Sequence, residues 1–257
     1  MKNKKIAYLI FFLTGSILFH SCTKDVTGPE GPAGPSYTGS ITGFITLYDQ
    51  YGVKLINTYP NLKVSILNST KVAYADTAGE YMFPNLSTGS YSLSIADTVP
   101  GFFGPSMVLN IGLLIGQSNH DVKLAAIPNF NPGTAVAVDT VQGVLNYVKI
   151  RGTVAADIKA REVLIFFGAD STVSSAPANY LNTYSSSIAA NATKFSNTIA
   201  VTDFYDAGFV SGSKVYFMVY SAAVGYSTES EYEDLNTGRT IYNALGIAPV
   251  WVKVTIP

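Results

Sequence analysis

Hydrophobic and polar residues alternate along most of the chain beyond residue 39. Between residues 40 and 127 the apolar positions form three rows with a spacing of two: Ile41, Gly43, Ile45 and Leu47; Leu62, Val64 and Ile66; Tyr91, Leu93 and Ile95. A spacing of two is the period of a β-strand, and each apolar row needs an opposing sheet to cover it. The pattern therefore predicts a β-sandwich in this part of the chain.

A second set of alternating runs follows PNFNPG, a turn-rich linker at residues 128–133. One row and its polar counterpart are Val148, Ile150 and Val154 against Lys149, Arg151 and Thr153; another is Val250, Val252, Val254 and Ile256 against Trp251 and Lys253. This part is similar in outline to a fibronectin type III or immunoglobulin-like sandwich. We predict an all-β protein with two tandem sandwiches, at residues 39–128 and 129–257. We also expect few contacts across the linker, so that the two fold independently.

The first of these segments carries a denser motif, ADTAGEYMFPNLSTGSYSL, between Ala75 and Leu93. It resembles the carboxypeptidase regulatory-like domain, a transthyretin-like Greek-key sandwich of about seven strands. The matching positions are Gly43, Asp49, Gly52, Asp76, Gly79, Tyr81, Phe83, Leu86, Gly89, Tyr91, Gly101 and Phe102. Ala75 stands where the family usually has threonine. The resemblance implies an accessory module without catalytic residues.

The residues of this motif also have a local physical interpretation. Gly79 and Gly89 are expected to take positive φ in tight turns, and Asp76 to accept hydrogen bonds from its own turn. Tyr81 and Phe83 fall on one face of the strand between the glycines. A paired-carboxylate or calcium site at Asp76 and Glu80 is the alternative, although calcium requires six to eight oxygen ligands.

Two polar, tyrosine-rich stretches interrupt the second segment, and we interpret them as long loops. They run from Ser174 to Thr193 and from Gly225 to Gly246. Tyrosine offers flat apolar area and one hydroxyl group at low entropic cost, as surfaces that bind sugars or proteins do. The candidate ligand-binding residues are Tyr180, Tyr184, Tyr226, Tyr232 and Tyr242. Alternatively, the rings pack the loops down onto the sheets. The acidic run at Glu229, Glu231, Glu233 and Asp234 is either a solvated loop or a calcium site.

The N-terminus predicts export and anchoring. Lys2, Lys4 and Lys5 precede an uncharged run from Ile6 to Phe19, which is shorter than the roughly 20 residues needed to span a bilayer. Ser21 and Cys22 follow, and the segment resembles a bacterial lipoprotein signal, with His20 and Phe19 departing from the usual pattern. The resemblance implies cleavage after Ser21 and acylation of Cys22, the only cysteine of the chain. Residues 22–38 include GPEGPAGP and are expected to form an extended tether.

The composition of the chain argues against several classes of function. Removing residues 1–21 takes away three of the sixteen basic residues and none of the seventeen acidic ones, which leaves a net charge of −4 and argues against a nucleic-acid partner. His120 is then the only histidine, so neither a multi-histidine metal site nor a sequence-local catalytic triad is expected. No cofactor is predicted.

The combined prediction is a non-enzymatic, lipid-anchored protein of the cell envelope, at the outer membrane or the cell surface. Its partners would be the membrane, through Cys22, and a glycan or an envelope protein, through the loops of the second sandwich. A structural spacer, or an accessory subunit of an envelope complex with no ligand of its own, is the alternative.

Overall fold

The first eight strands form two facing sheets. The computed structural model describes residues 37–56, 62–97, 103–133, 135–142, 145–225, 232–247 and 251–257. The strands are β1 (Thr38–Tyr48), β2 (Lys63–Ile66), β3 (Val72–Tyr74), β4 (Glu80–Ser87), β5 (Gly89–Ala96), β6 (Ser106–Leu113), β7 (Gly116–Asn119) and β8 (Val122–Ala125). One sheet has the order β4-β1-β7, with β8 also paired to β1, and the other has the order β3-β2-β5-β6.

The core between these sheets is made of the predicted apolar rows. Ile41, Ile45, Leu47, Leu62, Val64, Leu93 and Ile95 are all fully buried. Tyr81 and Phe83 are buried side by side as predicted, and the Tyr81 hydroxyl donates to the carbonyl of His120 at 2.7 Å. Gly43 lies beneath this bond, because a Cβ atom there would come within 2.0 Å of the same carbonyl oxygen. The first sandwich is therefore confirmed, with a close backbone approach that only glycine permits.

The two turn glycines of the motif differ from each other. Gly79 has a φ of 89°, as predicted, and the Asp76 side chain accepts from the backbone N–H groups of Ala78 and Glu80. The prediction for Gly89 was wrong: it begins β5 and is not among the glycines with positive φ. A turn-rich sequence does not show at which residue the strand resumes.

The remaining strands form a second pair of facing sheets and a small hairpin. They are β9 (Ala135–Gln142), β10 (Leu145–Thr153), β11 (Arg161–Gly168), β12 (Asn182–Ile188), β13 (Lys194–Ala200), β14 (Lys214–Ala222), β15 (Tyr232–Asp234), β16 (Arg239–Ile241) and β17 (Trp251–Thr255). The sheet orders are β13-β10-β9 and β12-β11-β14-β17, and β15 pairs with β16 alone. A 3₁₀ turn at Pro177–Asn179 and helix α1 at Val201–Asp206 connect strands. The all-β class holds for both parts.

The two stretches that we interpreted as loops contain regular structure. The first contains β12, which pairs with β11 along its whole length from Asn182 to Ile188. The second contains the β15–β16 hairpin, whose turn is closed by the Asp234 carboxylate through Thr237. Sequence reasoning missed β12 because asparagine and serine at its exposed positions hid the strand pattern. It missed β15 and β16 because each is only three residues long.

The two sandwiches touch each other, contrary to the expectation of few contacts across the linker. Residues 37–257 form one compact unit. The turn after β1 supplies most of the bonds: the Gln50 carbonyl accepts from the Val224 N–H at 3.1 Å, and the Tyr51 hydroxyl donates to the Asp157 carboxylate at 2.8 Å. Tyr48, Ala125, Ala223 and Ala244 pack together beside them. This set of contacts is called the junction below.

Candidate functional site

An aromatic cluster lies on the outer face of the β12-β11-β14-β17 sheet. At its centre is the buried ring of Phe166, which meets the rings of Tyr180, Tyr220 and Tyr242 edge to face at centroid distances of 5.1, 5.3 and 5.2 Å. These four residues are called the aromatic cover. Leu164 and Phe166 are buried in this cluster on the outer face of β11. Val163, Ile165 and Phe167 lie in the sandwich core on the inner face of the same strand.

Hydrogen bonds attach the β15–β16 hairpin to this cover. The Tyr180 hydroxyl donates to the Thr240 carbonyl, and the Tyr242 hydroxyl lies 2.7 Å from the Thr183 hydroxyl of β12. The Arg239 guanidinium donates to the Pro177 carbonyl at 2.7 Å and lies over the Tyr180 ring. Tyr180 and Tyr242, two of the tyrosines predicted to bind a ligand, therefore attach the β15–β16 hairpin to the β12-β11-β14-β17 sheet.

The other predicted tyrosines are placed separately. Tyr184 stacks on Phe167 on the opposite side of the sheet and donates to the Asp203 carboxylate at 2.7 Å. Burial, and then the Asp203 carboxylate, raise the pKa of Tyr184. Burial and the nearby Asp234 carboxylate raise the pKa of the half-buried Tyr232. Tyr226 lies outside the described residues, as does Cys22.

The described tyrosines thus do not form one open row. Tyr180 is only 4% exposed, and Tyr184, Tyr232 and Tyr242 are half-buried. Packing accounts for Tyr180, Tyr184 and Tyr242 through named contacts, which matches the alternative interpretation of these stretches. A direct role of the tyrosines in ligand binding stays a prediction.

A more open surface lies on the other sheet of the same sandwich. The outer face of β13-β10-β9 carries a groove of about 560 Å³ centred on β10. Its outward side chains come from all three strands: Val136, Lys149, Arg151, Thr153, Lys194 and Ser196. Gly152 and Phe195 complete the lining. This surface is called the β10 groove.

Strand register builds the β10 groove. Arg151 lies opposite Val136 on β9 and opposite Ser196 on β13, and Thr153 lies opposite Lys194. Beneath the groove, Gly152 accommodates the buried Phe195 ring, because a Cβ atom on residue 152 would lie 2.2 Å from that ring. The alternation in β10 had already indicated that Lys149, Arg151 and Thr153 face outward. The contribution of Lys194 could not be read in this way, since it depends on a pairing between distant segments.

Histidine and carboxylate side chains outside these two surfaces form hydrogen bonds with nearby groups. His120 contacts the Ser118 hydroxyl through Nε2 at 2.8 Å, while the Asp121 carboxylate accepts from the Phe44 N–H and the Asn119 amide. Within the described ranges, no group of three or more histidine, cysteine or acidic residues is placed to hold a metal ion. Asp76 and Asp234, from the two acidic alternatives, both accept hydrogen bonds within their own turns. Glu229 and Glu231 fall outside the described residues.

Comparison with known proteins gives structural neighbours and no sequence relatives. No protein-family model and no curated protein sequence matches the chain. A candidate carbohydrate-binding protein from Bacteroides uniformis aligns with 19% identity over 87% of this chain and 100% of its own, at a TM-score of 0.31. A DUF3823 family protein from Parabacteroides merdae aligns with 13% identity over 86% and 100%, at a TM-score of 0.29. At these TM-scores the likeness carries no functional argument.

Proposed function

We propose that this chain is a lipid-anchored, non-enzymatic protein of the cell envelope that binds a glycan through its second sandwich. The observation that carries the proposal is the β10 groove, an open depression of about 560 Å³ on a sheet face. Hydroxyl groups of Thr153 and Ser196 lie between long side chains there, which is a lining that can both hydrogen-bond to and pack against a sugar polymer.

The anchoring part of the proposal rests on the N-terminal sequence. Ile6–Phe19 followed by Ser21 and Cys22 supports cleavage and acylation, and several acyl chains together would hold the protein firmly because each buried CH₂ contributes about 0.8 kcal/mol. Among the described residues, no helix is both long and apolar enough to cross a bilayer. We expect Cys22→Ala to leave the membrane fraction and to lose labelling by palmitate; a variant that stays membrane-bound and processed would contradict the anchor.

The glycan part is tested with the full-length protein, in neutral detergent, on a glycan array. Ser196→Trp places a large ring in the β10 groove without removing a charge, whereas Ser187→Trp places the same ring at an exposed position of β12 on the other sheet. We expect the first variant to lose the glycans that the wild type binds and the second to keep them. Absence of any bound glycan, or equal binding by the two variants, would overturn the proposal.

A structural spacer is the second candidate function, and two observations favour it. The three tyrosines of the aromatic cover are used in packing, and the junction fixes the two sandwiches to each other through the turn at Gln50 and Tyr51.

The division into two independently folding units at residues 39–128 and 129–257 remains a proposal. Separate expression of Gly39–Pro128 and Asn129–Pro257 tests it, with cooperative unfolding of both halves as the expected result.

A further inference from the structure

Three cationic side chains stand on the β10 groove. Lys149 and Arg151 project from the central strand β10, and Lys194 projects from β13. Residues two apart on one strand are about 7 Å apart, and diagonal neighbours on paired strands are roughly 7 to 8 Å apart. Because Lys194 pairs with Thr153, it is a diagonal neighbour of Arg151. The three charged side chains therefore form an array with separate attachment points on two neighbouring strands.

No acidic side chain balances this array within the described structure. The outward positions of the three strands whose side chains are described are hydroxyl-bearing, apolar or basic: Val136, Val138, Tyr147, Lys149, Arg151, Thr153, Lys194, Ser196, Thr198 and Ala200. No ion pair within the described ranges involves Lys149, Arg151 or Lys194, and the ion pair between Lys159 and Asp49 lies at the junction. The positive surface also contrasts with the whole chain, whose formal charge is −1.

Retaining three like charges on one face without partners costs electrostatic energy, which a ligand of opposite charge removes. Arg151 is the central member of the array. Its planar guanidinium suits bidentate contact with a carboxylate or a sulfate, and the two flanking lysines act as point charges. A ligand with repeating negative charges matches such an array.

The position of the groove on the sheet limits the kind of polymer. β10 is the central strand, and both of its edges are already paired, with β9 and with β13. A peptide that binds by adding a strand needs a free edge, so backbone pairing is not available at this groove. Side chains must therefore make the contacts with the ligand. The hydroxyl groups of Thr153 and Ser196 offer hydrogen bonds to a polyhydroxylated chain.

We propose that the β10 groove binds an acidic polysaccharide, with Arg151, Lys149 and Lys194 contacting successive carboxylate or sulfate groups of the polymer. This inference rests on the proposed function and specifies the class of its glycan. Carboxylate and sulfate share the chemistry that the array recognises, and the experiment has one arm for each.

The test measures binding of the full-length protein, in neutral detergent, to immobilised polysaccharides by biolayer interferometry. The carboxylate arm compares polygalacturonate with its methyl ester, and the sulfate arm compares dextran sulfate with dextran. We expect binding to the acidic member of at least one pair and at least tenfold weaker binding to its uncharged counterpart. Raising the salt to about 1 M, where the Debye length is about 3 Å, should abolish the preference.

Charge-removing variants locate the binding. Arg151→Gln should weaken binding of the acidic polymer about tenfold or more, since a charge-assisted hydrogen bond is lost, and Lys149→Gln and Lys194→Gln should each weaken it several-fold. Lys214→Gln is the matched control, because Lys214 is exposed on β14 of the same sandwich and lies outside the groove. Unchanged unfolding midpoints show that each variant is folded.

Four outcomes would overturn the inference. Equal loss in Lys214→Gln and Arg151→Gln would mean ion exchange over the whole surface. Equally tight binding of poly-glutamate would mean that charge is read without a saccharide. Equal binding of charged and uncharged polymers, with both lost in Ser196→Trp, would refute the charge array but keep the proposed glycan function. Insensitivity of all binding to Ser196→Trp would refute both.

Discussion

The two outer faces of the second sandwich are built from similar strands but differ in their exposure to solvent. The outer face of β12-β11-β14-β17 is closed by the aromatic cover and the β15–β16 hairpin, so that Phe166 is fully buried. The outer face of β13-β10-β9 keeps Arg151, Lys194 and the half-exposed Val136 open to solvent. The tyrosine-rich aromatic cover lies on the closed face, while Lys149, Arg151 and Lys194 line the groove on the face that stays open to solvent.

The closed face should respond to truncation as a core does. Phe166→Ala removes the ring at the centre of the aromatic cover and should lower the free energy of unfolding by about 3 to 5 kcal/mol. Arg151→Ala, on the open face, should change it by no more than about 0.5 kcal/mol. Chemical denaturation of both variants checks the contrast, and equal losses would show that the two faces do not differ in this way.

Beneath the open face, stability depends on the close contact between Gly152 and the buried Phe195 ring, which together form the floor of the β10 groove. Gly152→Ala forces a methyl group toward the buried Phe195 ring and should cost about 1 to 3 kcal/mol of unfolding free energy through overpacking. Gly112→Ala is the matched control, because Gly112 also lies in a strand and a Cβ atom there meets nothing within 4 Å. If both substitutions were equally tolerated, the floor would be looser than the distances indicate.

Removing the Tyr180 hydroxyl group tests whether this residue of the closed face serves packing or ligand binding. Tyr180→Phe loses the bond to the Thr240 carbonyl and should cost about 0.5 to 1.5 kcal/mol of unfolding free energy, with glycan binding unchanged. Tyr74→Phe, at a tyrosine that is 60% exposed, provides the control. A loss of glycan binding in Tyr180→Phe without a loss of stability would assign this tyrosine to recognition after all.

Alkaline pH should gradually weaken the second sandwich through Tyr184, which packs against its core. Burial raises the pKa of Tyr184, so above its ordinary value of about 10 the unfolded chain releases a proton that the folded protein retains. Stability from this group is present below that pH and falls as the pH rises further. We expect Tyr184→Phe to flatten the decline of unfolding free energy above pH 10, and an unchanged slope would contradict the raised pKa.

Local patterns predicted the strands and their inward rows well, because alternation with a period of two lies within each segment. Ile41 to Leu47 and Val148 to Val154 were placed correctly in this way. What covers an outer face depends on pairings between distant segments, as between β11 and β12 or between Thr153 and Lys194. Tyr180 and Tyr242 are in polar surroundings in the sequence, whether their rings pack or bind, so the sequence left both alternatives open.

Hydrogen–deuterium exchange of the full-length protein, with and without saturating polygalacturonate, tests the assignment of binding to the open face most directly. Backbone amides protected by a ligand report where it lies, independently of any substitution. We expect added protection confined to peptides that contain Lys149–Thr153 and Lys194–Ser196. Added protection confined to the β15–β16 hairpin or to the first sandwich, with none in these peptides, would contradict it.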